Sequence, residues 1–261
     1  MAEIDAWKDV LPDQMRAVWP ILQKAMHPLE GCLTGGTALT IHLRHRVSFD
    51  LDYMTADSFS GDHLAREFEK AADSIDIYTS GPDQMHARVD GVQVQVFKTP
   101  YRGANPGYVK TLKQPVELDG LPVASLPDLL ASKLDVIMYR PKLRDYVDLV
   151  AIDTAGPYTL EDGLRFHMHR YGITPASTDA ARIVSLLESP GDLDHDPHFG
   201  DRKDEVLQYL ADRAPDLEQL LHQMRIEHSG PTTQDPPDRT SATGLTPDFD
   251  ESLRTLSDKN R

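Results

Sequence analysis

Two aspartates with one residue between them, Asp50 and Asp52, are the side chains of this chain best suited to chemistry. In a β-strand, residues i and i+2 point to the same face. The two carboxylates would stand side by side, and like charges at that range repel and raise one pKa unless a cation sits between them. Mg²⁺ is the usual cation for such a pair, and it commonly brings substrate phosphates with it. Just upstream, Gly35-Gly36-Thr37 can offer backbone N–H groups and a hydroxyl to the same phosphates. Together these residues point to phosphoryl or nucleotidyl transfer. Each piece alone has a plainer reading. The glycines could form a tight strand-to-helix turn that needs positive φ. Asp50 could cap a turn, and Asp52 could pair with Arg46. The joint order favours chemistry: glycines end one strand, a short helix follows, and the next strand carries the carboxylates.

Stepping outward from these residues, the pattern of apolar positions predicts the elements that hold them. Residues 4–26 read as helical, split or restarted at Pro12. Residues 31–34 read as a short strand, Gly35-Gly36 as the turn, 37–44 as a short helix and 48–54 as the strand of the aspartates. A helix over 60–73, capped by Ser58 or Ser60, comes next. Strands are expected over 75–79, 85–89 and 92–98, with Asp90-Gly91 a strong hairpin signal. Val92, Val94 and Val96 alternate with Gln93, Gln95 and Phe97, so one sheet face is apolar. Residues 123–126 read as a strand or turn, followed by helices over 127–139 (Ser125 as N-cap), 142–153, 159–171, 177–187 and 203–225. This is an α+β layout, without the strand–helix alternation of a doubly wound sheet. From residue 229 the chain is rich in Pro, Thr, Ser and Asp, with few apolar anchors, and reads as a disordered tail.

The 261 residues suffice for one large domain or two small ones. No apolar run reaches membrane-span length, and the acidic, amphipathic N-terminus lacks a signal-peptide layout, so a cytoplasmic location is expected. The single cysteine, Cys32, excludes an internal disulfide framework and reads as a buried strand residue rather than a nucleophile. The net charge of −15 argues against a surface broadly adapted to nucleic acid. Local basic clusters remain, at Arg44–Arg46 and at Lys133, Arg140, Lys142 and Arg144. They could hold a triphosphate or an RNA end. His195 and His198 lie in an Asp-rich loop whose default reading is a solvated loop, with a metal site as the minor reading.

The last constellation lies at 131–149. Lys133 sits well inside an apolar helix, where a lone lysine would ordinarily snorkel to water. Asp145 and Asp148 fall three residues apart on one face of the next helix, which alone would suit a salt-bridged surface helix. The chain resembles the AbiEii/AbiGii-type nucleotidyltransferase toxins, a branch of the DNA polymerase β-like nucleotidyltransferase superfamily. The resemblance rests on GGTAL at 35–39, SFDLD at 48–52, and Lys133, Arg140, Arg144-Asp145 and Asp148-Leu149. It covers about residues 30–155.

That resemblance implies a role for each matching position. Gly35, Gly36 and Thr37 would cradle the triphosphate, with Ser48, Arg140 and Arg144 also on the nucleotide. Asp50 and Asp52 would hold Mg²⁺, or Mn²⁺ in its place, between phosphates and attacking hydroxyl. Lys133 would neutralise charge developing on the triphosphate, and Asp145 would orient a basic residue or the nucleophile. A small mixed or antiparallel nucleotidyltransferase sheet with flanking helices would occupy 1–122. A helical domain over 123–228 would contribute Lys133 and Asp145, and the tail would occupy 229–261. The expected activity is transfer of a nucleoside monophosphate from an NTP to a tRNA 3′ end or a protein hydroxyl, in a toxin partnered by a cognate antitoxin. One departure stands out: the superfamily often has a third carboxylate on a later strand, and here Gln93 and Gln95 occupy the outward positions. Asp90, Asp76 or Asp145 could substitute. The amides motivate an alternative, a catalytically weak nucleotide-binding regulatory module. A small-molecule, antibiotic-type nucleotidyltransferase would share the same core.

Overall fold

The structure, a computed structural model, describes residues 4–99, 111–193 and 196–228. The expected tail at 229–261 and His195 lie outside the described residues. After a 3-10 segment at Ile4–Val10, the order is α1 (Asp13–Met26), β1 (Gly31–Thr34), α2 (Gly35–Leu43), β2 (Asp50–Thr55) and α3 (Gly61–Glu69). The strands β3 (Ile75–Gly81), β4 (Gln84–Val89) and β5 (Val92–Lys98) follow, then β6 (Val116–Leu118) and β7 (Leu121–Val123). The rest is helical: α4 (Leu126–Val136), α5 (Leu143–Ala155), α6 (Leu160–Tyr171), α7 (Thr178–Glu188) and, after a 3-10 turn at Gly200–Arg202, α8 (Lys203–His228).

The strands form one mixed sheet in the order β3-β4-β5-β2-β1-β7-β6. β2 runs antiparallel to β1 and parallel to β5, so both neighbours of the aspartate strand fix its register. Its burial alternates strictly. Leu51, Tyr53 and Thr55 are buried, while Asp50, Asp52 and Met54 are partly exposed. Val92, Val94 and Val96 are buried on β5 as the alternation predicts, and Met85, Ala87 and Val89 on β4 are buried with them. Helix α3 packs on β3 and β4, and α1 touches α3 and β5. Burying a side chain of the size of Leu51 or Val94 contributes about 1.5–3 kcal/mol. That burial therefore also locks the register that places both aspartates on the opposite face.

Helix α2 is buried along nearly its whole length, with Thr37, Ala38, Leu39, Thr40 and Ile41 inside. It touches β1, β2, α4 and α5. The two glycines belong to its first turn rather than to a turn before it. Gly35 takes φ +70, and a Cβ there would run into the Asp52 carboxylate. Glycine is therefore required on two grounds, backbone conformation and close approach.

Helix α4 starts as expected: the Ser125 hydroxyl accepts from the Asp128 N–H, and Pro127 occupies the first turn. The buried Asp128 carboxylate accepts bonds from the Leu112 and Lys113 N–H groups, the Ser125 hydroxyl and Arg170. Two hairpin turns carry an Asp-Gly pair, the first as expected and the second unexpected. The Asp90-Gly91 hairpin forms with both residues at positive φ. Asp119-Gly120 does the same between β6 and β7, a hairpin that the apolar pattern of such short strands does not announce. Cys32 lies on β1 but is only partly buried.

Candidate active site

Asp50 and Asp52 stand on one face of β2, as period-two geometry predicts. Across the parallel ladder Asp50 faces Gln93, and Asp52 faces Gln95. Asp90 is occupied in the hairpin, where it accepts from the Ser74 N–H, and Asp76 is on the edge strand β3. Neither supplies a third carboxylate beside the pair. Among the described residues no group of three or more His, Cys, Asp and Glu is arranged to hold a metal.

Helix α5 lies beyond α2, and its Asp145 and Asp148 are not on a solvated surface but buried. Both bind Lys133 of α4, at 2.6 Å from Asp145 Oδ1 and 2.7 Å from Asp148 Oδ2. The lysine does not snorkel. It is 8% exposed and held between two carboxylates. Asp148 also accepts from Arg46 Nε and Nη2, at 2.6 and 3.0 Å, and meets His45 Nε2 at 2.7 Å. Arg46 thus pairs with Asp148, which corrects the plainer expectation that it would pair with Asp52. Two more arginines approach the site. Arg144 Nη1 lies 3.8 Å from Asp50 Oδ2, and Arg140 Nη1 lies 4.0 Å from Asp145 Oδ2.

The charges shift in directions set by this packing. Burial raises the Asp52 carboxyl above its ordinary value, and the neighbouring Asp50 charge adds to it. Lys133, Arg140 and Arg144 pull the other way. Burial alone would lower the Lys133 ammonium, but Asp148 and Asp145 outweigh it and hold it above its ordinary value. Asp148 is held far below the carboxylate range. Burial opposes this, and Lys133, His45 and Arg46 overcome it. Asp145 keeps one buried oxygen, Oδ2, without a hydrogen-bond partner.

One cavity of about 100 Å³ gathers most of the residues singled out in the sequence. Gly35, Gly36, Ser48, Asp50, Asp52, Lys133, Arg140, Arg144 and Asp145 all line it. Thr37 does not. Its buried hydroxyl donates to the Asp50 main-chain carbonyl, so it ties α2 to β2 instead of facing a phosphate. The cavity also takes residues the sequence reading did not place there: Val47 and Phe49 beside the aspartates, and Asp196, His198 and Phe199 from the α7–α8 connection. His198 is therefore not simply part of a solvated loop. No local pattern could have placed that connection, which lies some 150 residues from β2 in sequence.

A divalent cation fits the residues present. The donors are two adjacent carboxylates on a rigid strand, the kind of oxygen set Mg²⁺ takes. The missing Cβ of Gly35 leaves room for the Asp52 carboxylate against the first turn of α2. Burial and the neighbouring Asp50 charge both raise the Asp52 carboxyl, so a cation bound by the pair would favour its ionised form.

A mixed sheet with a carboxylate pair on one face, a glycine-opened helix beside it and a buried lysine in the same cavity suits transfer of a phosphoryl-type group. The comparisons narrow that class. Residues 30–253 match the model of the nucleotidyl transferase AbiEii toxin family of type IV toxin–antitoxin systems. Because that span is most of the chain, the protein belongs to the AbiEii nucleotidyltransferase toxin family. Among solved structures it is similar to MenT4, a nucleotidyltransferase toxin from Mycobacterium tuberculosis H37Rv. The two share 16% identity at a TM-score of 0.44, over 81% of this chain and 89% of that one. No curated protein matches. Among the described residues, no helix is long and apolar enough to cross a membrane.

Proposed function

We propose that this nucleotidyltransferase transfers a nucleoside monophosphate from an NTP to a hydroxyl of an RNA, such as a tRNA 3′ end, or of a protein. The supporting observation is convergence: residues from β2, the start of α2, α4 and α5 meet at one cavity. Asp50 and Asp52 would hold a divalent cation, which would supply Lewis-acid chemistry and screen the phosphates. The first-turn N–H groups at Gly35 and Gly36 and the Ser48 hydroxyl receive phosphate oxygens. Lys133, fixed by Asp145 and Asp148, supplies positive charge to the polyphosphate, as do Arg140 and Arg144. Asp145 orients Lys133 or the acceptor hydroxyl, whose proton passes to solvent. The acceptor oxygen bonds to the α-phosphorus, the bond to the bridging oxygen breaks, and pyrophosphate leaves. Residues 123–228 act here as a helical domain that completes the site. A cognate antitoxin would be the regulatory partner.

Purified protein with Mg²⁺ should move label from an α-labelled NTP to RNA or protein. An Asp50→Ala/Asp52→Ala variant that labels equally well would overturn the assignment. Gln93 and Gln95 beside the aspartates favour one other reading, a nucleotide-binding module with little catalysis. Calorimetric NTP binding with no pyrophosphate released from any of the four NTPs would select it.

A further inference from the structure

We infer that Phe49 and His198 form a slot for the nucleobase of the incoming nucleotide, at the mouth of the candidate active site. The inference rests on the nucleotidyltransferase reading and adds to it a specific base contact.

Size comes first. A cavity of about 100 Å³ is well below the roughly 300 Å³ at which ligand pockets begin. A cavity of that size does not enclose a nucleoside, which would lie at its rim. The rim beside the aspartates is unexpectedly apolar. Phe49 directly precedes Asp50 and is 58% exposed, an aromatic ring left largely in water next to two carboxylates. Packing does not account for it.

A second ring lies close to it. Phe49 and His198 have centroids 6.3 Å apart and planes 34° from parallel. Bases stack at about 3.4 Å repeats, so a base between two plates needs about 7 Å. A small opening of this pair would seat one. The ring of His198 is presented by an ordered turn. The His198 N–H donates to Asp196 Oδ1, and the Phe199 and Gly200 N–H groups donate to the Asp196 carbonyl. Phe199 in turn lies over the Arg46 guanidinium at 5.9 Å, and Asp148 holds Arg46. The turn is thus tied to the same buried charge cluster that holds Lys133. Every base has a π-face, so this slot would accept all four nucleotides with modest preference.

The test compares ligands with and without a base. In the full chain with Mg²⁺, affinities for each NTP and for inorganic tripolyphosphate are measured by calorimetry for wild type, Phe49→Ala, Phe49→Trp and His198→Ala. The slot predicts that Phe49→Ala weakens NTP binding by about tenfold or more, leaves tripolyphosphate within twofold, and that Phe49→Trp restores NTP binding. His198→Ala should act in the same direction. Equal loss for both ligands, or no loss for either, would overturn the slot. Unchanged NTP affinity with a raised KM for an RNA acceptor would assign the slot to the acceptor's base and overturn the inference as stated. Wild type that binds NTP but shows no Phe49 effect sinks only the slot. Wild type that binds neither NTP nor tripolyphosphate sinks the nucleotidyltransferase reading as well.

Discussion

At the residue scale, the site consists of two charge clusters with opposite stability consequences. Asp52 has a raised pKa in the folded state, so its ionisation works against folding. Its contribution is favourable below its ordinary pKa and is lost as pH rises through the folded value. Asp52→Asn should therefore raise the melting temperature at pH 7, and the gain should shrink as the pH falls into the carboxylate range. Mg²⁺ should raise the melting temperature of wild type but little that of the variant. Asp148 has the reverse sign. Its folded pKa is depressed, so its stabilisation is present above the ordinary value of 3.8 and is lost as pH falls below it. Asp148→Asn leaves Lys133 and Arg46 buried without their shared anion. It should cost roughly 3–5 kcal/mol at pH 7, read by denaturant unfolding, with a smaller difference in acid.

At the element scale, α2 and α4 position the chemistry. Gly35→Ala asks an L-residue to adopt φ +70 and pushes a Cβ into Asp52. Transfer activity should fall by at least tenfold, with a lower melting temperature. Gly36→Ala meets the movable Arg46 and Ser48 side chains instead and should be milder. At the start of α4, Ser125→Ala removes an N-cap and one of the bonds to Asp128. About 1–2 kcal/mol of stability should be lost in denaturant unfolding. The start of α4 could be read from its Ser-x-x-Asp, because caps are decided within a few residues, whereas α2 begins two residues earlier than the glycine pair suggested. The β6–β7 hairpin carried the same Asp-Gly signal as β4–β5. Its strands are only three residues each, too short for alternation to reveal.

At the scale of the molecule, the described residues form one compact unit. Asp153 is one of the residues that join its helices. It accepts from the Leu160 N–H, the Tyr209 hydroxyl and Arg213 Nε, connecting α5, α6 and α8. Asp153→Ala should cost roughly 1–3 kcal/mol and speed amide exchange first in α8, seen by hydrogen-exchange mass spectrometry. In wild type, scanning calorimetry should show one transition for the sheet and the helices together. A separate early transition for the helical region would argue that 123–228 is an independent domain.

The sequence by itself determined what depends on near neighbours. The shared face of Asp50 and Asp52 follows from a period of two. The buried valines of β5, the Asp90-Gly91 turn and the Ser125 cap are equally local. Lys133 stood out as a charge inside an apolar helix, but that position alone read as a snorkelling side chain, and its role at the site was implied only by the family resemblance. Only the tertiary structure decided who pairs with whom. The partners of Lys133 are the two acids of α5, Arg46 turns from Asp52 to Asp148 across a sequence separation of 102, and Thr37 spends its hydroxyl on the Asp50 carbonyl. The turn at 196–199 reaches Arg46 and Phe49 from far along the chain. Such choices are settled by burial. A charge taken out of water must find a partner in whatever element packs against it, and that element is set by the fold of the whole chain.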